Sequence, residues 1–155
     1  MNLRKIIFAS LVVALATVSV ASAQERKIKR AQLPAAVEKT VAEQSQGAMI
    51  KGFSTEMEKG NRLYEAEMMV NGHGKDLTVD AKGNVVLVEE EVAMDSLSPA
   101  VQDALKKAAG RATINKIESL TKNGTLVAYE AHIKRGLKRS EIQVGPNGEK
   151  LAHPE

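Results

Sequence analysis

Residues 64–83 read YEAEMMVNGHGKDLTVDAKG, and residues 129–148 read YEAHIKRGLKRSEIQVGPNG. A shift of 65 lays Tyr64-Glu65-Ala66 on Tyr129-Glu130-Ala131, Leu77-x-Val79 on Ile142-x-Val144, and Gly83 on Gly148. Six of the 27 pairs from position 64 to 90 are identical, and Met68/Ile133, Asp76/Glu141 and Val86/Leu151 exchange like for like. Upstream, a shift of 64 pairs Leu33, Ala36 and Val37 with Leu97, Ala100 and Val101, then Val41 with Leu105, Ile50 with Ile114 and Gly60 with Gly124. The one-residue change of register falls just after Gly60 and Gly124, where a turn tolerates a length change. The same motifs in the same order predict an internal repeat, with halves at 24–92 and 93–155.

Each half opens with a helix. Ser98 suits the cap, Pro99 the first turn, and Lys106 and Lys107 the last, before Gly110 ends it. Leu97, Val101, Ala104, Leu105 and Ala108 recur at helical spacing; the first half repeats the plan with Pro34, Val37, Val41 and Gly47. Strands follow. Tyr64, Ala66, Met68 and Val70 alternate with Glu65, Glu67 and Met69, and Tyr129, Ala131 and Ile133 with Glu130, His132 and Lys134. A period of two is that of a half-buried antiparallel strand. Weaker strands are expected at 50–57 and 114–121, with others through Leu77-Val79 and Val85-Val88. Asn71-Gly72-His73-Gly74 reads as a link, and 80–83 and 145–148 as hairpin turns. The predicted fold is α+β: two tandem αββββ repeats, each a helix packed on one face of an antiparallel sheet.

One helix covers only one face. The Tyr64 and Tyr129 faces are apolar, so they are expected beneath the helices, with the opposite face open. That face offers Glu65, Glu67, Asp76, Thr78, Glu130, His132, Lys134, Glu141 and Gln143. These nine are the predicted protein-binding residues.

The chain begins with Arg4 and Lys5, an apolar run from Ile6 to Val20, and Ala21-Ser22-Ala23. This is the pattern of a cleaved secretory signal over residues 1–23, and the run is shorter than the ~20 residues a spanning helix needs. A periplasmic or secreted location follows, with no transmembrane segment after cleavage. The remaining 132 residues hold 20 Lys and Arg against 19 Asp and Glu, which argues against a nucleic-acid partner. With no cysteine there is no disulfide framework and no thiol nucleophile.

A helix opening near Pro, a strand with Tyr-Glu-Ala, and then Leu/Ile-x-Val-x-x-x-Gly resemble the PepSY-like domain. Two such units after a signal peptide resemble its tandem, beta-lactamase-inhibitor-like arrangement, over about residues 31–155. The resemblance implies an exported module that binds or inhibits a protein or peptide, such as a peptidase. The chain departs from the inhibitor in lacking both cysteines and open-face aromatics.

No nucleophile elbow or phosphate-cradling loop is present, so no enzyme activity, catalytic residue or cofactor is predicted. The three histidines, His73, His132 and His153, do not form a metal-ligand spacing, and Asp76 and Asp80 lack the spacing of a calcium loop. Glu89-Glu90-Glu91 reads as a solvated strand end leading into the linker or as an acidic docking patch, and 26–30 (RKIKR) as a flexible start or as a contact to anionic envelope surfaces. Lys134, Arg135, Lys138 and Arg139 make a basic hairpin tip, read as edge protection or as a contact to an acidic partner or anionic envelope surface. The alternative to a protein-binding module is an envelope sensor of a small ligand or ion.

Overall fold

A computed structural model describes residues 25–155. The expected signal over 1–23 lies outside the described residues.

Strand β1 (Arg26–Ile28) leads through a 3-10 turn at Arg30–Gln32 into helix α1 (Ala35–Gln44). Four strands follow: β2 (Met49–Glu58), β3 (Asn61–Val70), β4 (His73–Asp80) and β5 (Val85–Glu91). Helix α2 (Pro99–Ala109) then precedes β6 (Thr113–Lys122), β7 (Thr125–Arg135) and β8 (Lys138–Val144). All eight strands pair antiparallel in sequence order to form one sheet. The junction between the halves is the β5–β6 ladder, from Leu87↔Lys122 to Glu91↔Glu118.

Both helices lie on one face, because each carries a narrow apolar stripe that only that face can cover. Val37 and Val41 of α1 pack on Ala66, Met68, Leu77 and Val79. Val101 and Leu105 of α2 pack on Ile117, Ala131 and Val144. Tyr64 and Tyr129 sit at the margins of these clusters, on the helix face as expected. Ser98 caps α2, its hydroxyl accepting from Val101 N–H at 3.4 Å, and Pro99 occupies the first turn. Leu105 has no solvent exposure. Leu105→Ala is expected to cost about 3 kcal/mol, read as a lower urea midpoint at unchanged slope.

Four expectations are corrected. The second half has three strands after its helix, not four: Gly145 to Gly148 turn as expected, with Gly148 N–H donating to Gly145 C=O, but no strand follows. Only Leu151 and Ala152 are apolar there before His153-Pro154, too few to sustain a ladder. The RKIKR segment is not a loose start, since its first three residues pair with Thr55, Ser54 and Phe53 at the edge of β2. Arg30 of that segment holds Glu38 at 2.7 Å. The 71–74 link is shorter than expected, with His73 and Gly74 already in β4 opposite Val70 and Met69. Glu89-Glu90-Glu91 is the end of β5 as expected, but it is not solvated throughout: Glu90 is exposed, whereas Glu89 and Glu91 are half-buried and all three pair with β6.

Candidate functional site

Cross-strand partners share a face, so the registers assign the helix-free surface directly. Glu65 pairs with Ser54 and Thr78, and Glu67 with Gly52 and Asp76. Asp76 faces Glu89, which faces Leu120. Glu91 faces Glu118, which faces Glu130, which faces Gln143. His132 lies between Lys116 and Glu141, and Lys134 between Thr113 and Arg139. All nine predicted residues therefore stand on one continuous face, and the β5–β6 ladder joins the two groups.

The surface is not a uniformly wet one. Ser54, Leu63, Leu120 and Ala128 are buried on it although no helix covers them. The side chain of Glu118 is 5 % exposed and that of Glu130 is 11 %.

Glu118 is the hub. Its Oε1 takes Lys116 Nζ at 2.8 Å, and its Oε2 lies 2.6 Å from His132 Nε2. The same ring nitrogen is 3.5 Å from Glu130 Oε1, and Nδ1 is 3.4 Å from Glu141 Oε1. Gln143 Nε2 donates to Glu130 Oε2 at 2.6 Å. One ligand atom from each of Glu118, Glu130 and His132 lies within 4.8 Å of the others. The residues from Lys150 onward turn back across this side, where Glu155 N–H donates to Gln143 Oε1 at 2.7 Å and the Glu155 carboxylate meets Lys122 at 3.3 Å.

Crowded, half-buried carboxylates bind protons more tightly than solvated ones do. Burial, reinforced by Asp76, pushes Glu65 up to about 7. Burial, reinforced by Glu118, pushes Asp76 up to about 6 and Glu89 up to about 7. Burial also raises Glu130, against the opposing hydrogen bond from Gln143. Lys116 is pulled down by its burial, but the Glu118 hydrogen bond and the surrounding carboxylates outweigh this and raise it. Asp80 is different: Asn84 and the Lys82 N–H clasp its oxygens inside the β4–β5 turn and lower it. Those oxygens are committed to the turn.

The sequence reading did not single out Glu118 or Lys116, and it did not place Glu89 and Glu91 on the binding face. A register shift between Ile114 and Lys116 breaks the period of two in β6, so its polar positions fall out of phase with its apolar ones. Three consecutive glutamates hide alternation altogether, although the period still puts Glu89 and Glu91 on one face and Glu90 on the other.

No family model matches the chain, and no curated protein does. Solved structures do. A BLIP-like protein from Bacteroides fragilis aligns at a TM-score of 0.55 and 21 % identity, over 76 % of this chain and 83 % of its own. A DUF2874 family protein from Bacteroides ovatus aligns at 0.58 and 17 %, over 76 % and 84 %. A protein from Bacteroides eggerthii, provisionally described as periplasmic, aligns at 0.60 and 14 %, over 75 % and 84 %. At these identities the likeness is one of fold: the chain has the helix-backed antiparallel sheet of the BLIP-like and DUF2874 structures.

Proposed function

We propose that this chain is an exported, non-enzymatic binding module, periplasmic or secreted, that holds a protein or peptide partner against the open face of its sheet. The observation carrying this reading is the face itself: eight strands joined edge to edge, both helices on the other side, and carboxylates outnumbering cations across the middle. Electrostatic complementarity then favours a basic partner segment. The BLIP-like fold supports a binding role, and the neighbour described as periplasmic supports the location. We further read the halves 24–92 and 93–155 as PepSY-like tandem repeats. In support, the Gly83 turn abuts Ala36 at the start of α1 as the Gly148 turn abuts Ala100 at the start of α2.

The test is a fluorescence-anisotropy titration of a labelled Lys/Arg-rich decapeptide, with an acidic peptide of equal length as control. The basic peptide is expected to bind, and Glu65→Gln/Glu67→Gln/Asp76→Asn to weaken it about tenfold, from three partly exposed charge pairs. Equal binding of both peptides, or an unchanged triple variant, would count against the reading.

The second reading, an envelope sensor of a small ligand or ion, is favoured by the convergence of Glu118, Glu130 and His132. A melting midpoint that rises with added zinc or calcium, and fails to rise in Glu118→Gln/His132→Gln, would put it ahead.

A further inference from the structure

We propose that the β7–β8 hairpin tip docks on the surface of an anionic phospholipid bilayer, with Leu137 entering the headgroup region. This stands apart from the open-face reading: the two share only Lys134, which the test below leaves unchanged.

The tip breaks the local rules of a hairpin. Lys134 lies directly opposite Arg139, and Arg135 directly opposite Lys138. Like charges facing each other across a ladder oppose its formation. Among the described residues none of the four pairs with a carboxylate. Arg111 adds to the same end, two residues before Thr113, whose cross-strand partner is Lys134. The turn between the strands is Gly136-Leu137. Gly136 has φ +62°, as the first position of such a two-residue turn requires. Nothing in the turn requires leucine at the second position, yet Leu137 is 99 % exposed.

Edge protection accounts for a cation or two on β8, the last strand of the sheet. It does not account for Lys134 on β7, which is paired with Thr113 on one side and Arg139 on the other. Solubility accounts for cations but not for a bare leucine at their centre. A bilayer with anionic headgroups fits both features: each cation near the surface gains from the surface potential, and the leucine gains from apolar burial. An anionic polymer would satisfy the cations and leave Leu137 in water.

Co-sedimentation of the purified exported protein with phosphatidylcholine vesicles, with and without phosphatidylglycerol, tests this. Binding is expected to the mixed vesicles only and to weaken with salt. Arg135→Gln/Lys138→Gln is expected to lower partitioning about 25-fold, roughly fivefold per cation. Leu137→Ser should lower it about tenfold. All sites are exposed, so equal melting midpoints of the variants check folding. Equal binding to neutral vesicles, an unaffected Leu137→Ser, or preference for double-stranded DNA or an acidic polypeptide over the mixed vesicles would overturn the proposal.

Discussion

Gly148→Ala is expected to destabilise the protein by roughly 2–5 kcal/mol, out of all proportion to one added methyl group. Two costs combine. Gly148 holds φ +85°, a left-handed conformation that a side chain resists. Its added Cβ would also stand 2.6 Å from Ala100 O and 2.9 Å from Ala100 C, at the opening of α2. That obstacle is backbone, so it cannot rotate away. Either the helix lifts from Val144 and Ile117 or the turn opens. Gly83→Ala is expected to behave alike, with φ +90° and a Cβ 2.8 Å from Ala36 O, where Thr40 also hydrogen-bonds Gly83 C=O at 2.7 Å. Gly72→Ala is the control: φ is +88° but nothing lies within 4 Å, so only the conformational cost of about 1–2 kcal/mol remains. Urea unfolding of the three variants separates the two costs. Equal losses at 72, 83 and 148 would mean that the helix starts do not rest tightly on these turns.

The second large effect is on the pH dependence of stability. Glu65 and Glu89 at about 7, and Asp76 at about 6, all bind protons more tightly folded than unfolded. The native state therefore holds more protons than the unfolded chain between about pH 4.5 and 7. The stability contributed by these groups is fully present below their unfolded values and is lost as pH rises through the folded ones. Each tenfold change in proton affinity corresponds to about 1.4 kcal/mol, and solvent screening of these partly wet groups cuts that. A net loss of roughly 2–4 kcal/mol from pH 5 to pH 8 remains, or about 10 °C in melting midpoint for a domain of this size. Glu89→Gln, which keeps the shape and removes the charge between Asp76 and Leu120, should flatten the profile and raise the midpoint at pH 8. A midpoint that climbs from pH 5 to 8, or a Glu89→Gln profile parallel to wild type, would mean these carboxylates are not crowded as described. The same charges bear on binding, because a basic partner meets fewer ionised carboxylates as pH falls towards 5.

Much of the architecture could be read from local pattern. Alternation at 64–70 and 129–133 placed Tyr64, Ala66 and Met68, and Tyr129, Ala131 and Ile133, on the helix side, where the structure has them. Ser98-Pro99 marked the start of α2 and Gly110 its end. The pattern failed where the deciding partner was distant. RKIKR carries no alternation of its own, and becomes β1 because the β2 edge accepts it. Lys116 and Glu118 were obscured by the bulge in β6, and Glu89 by its identical neighbours.

What the sequence determined by itself was therefore which side of each strand is apolar, where helices begin, and where turns permit left-handed glycines. These depend on spacing along the chain and on the conformational limits of single residues. Only the tertiary structure decided that β5 joins β6, which makes two half-faces into one and brings Glu89 and Asp76 within the field of Glu118. That pairing depends on which sheet edges remain free once each half has formed its own ladder. The perturbed carboxylates follow from it, since proton affinity is set by the water excluded and the charges gathered around a group, neither of which is encoded within its own strand.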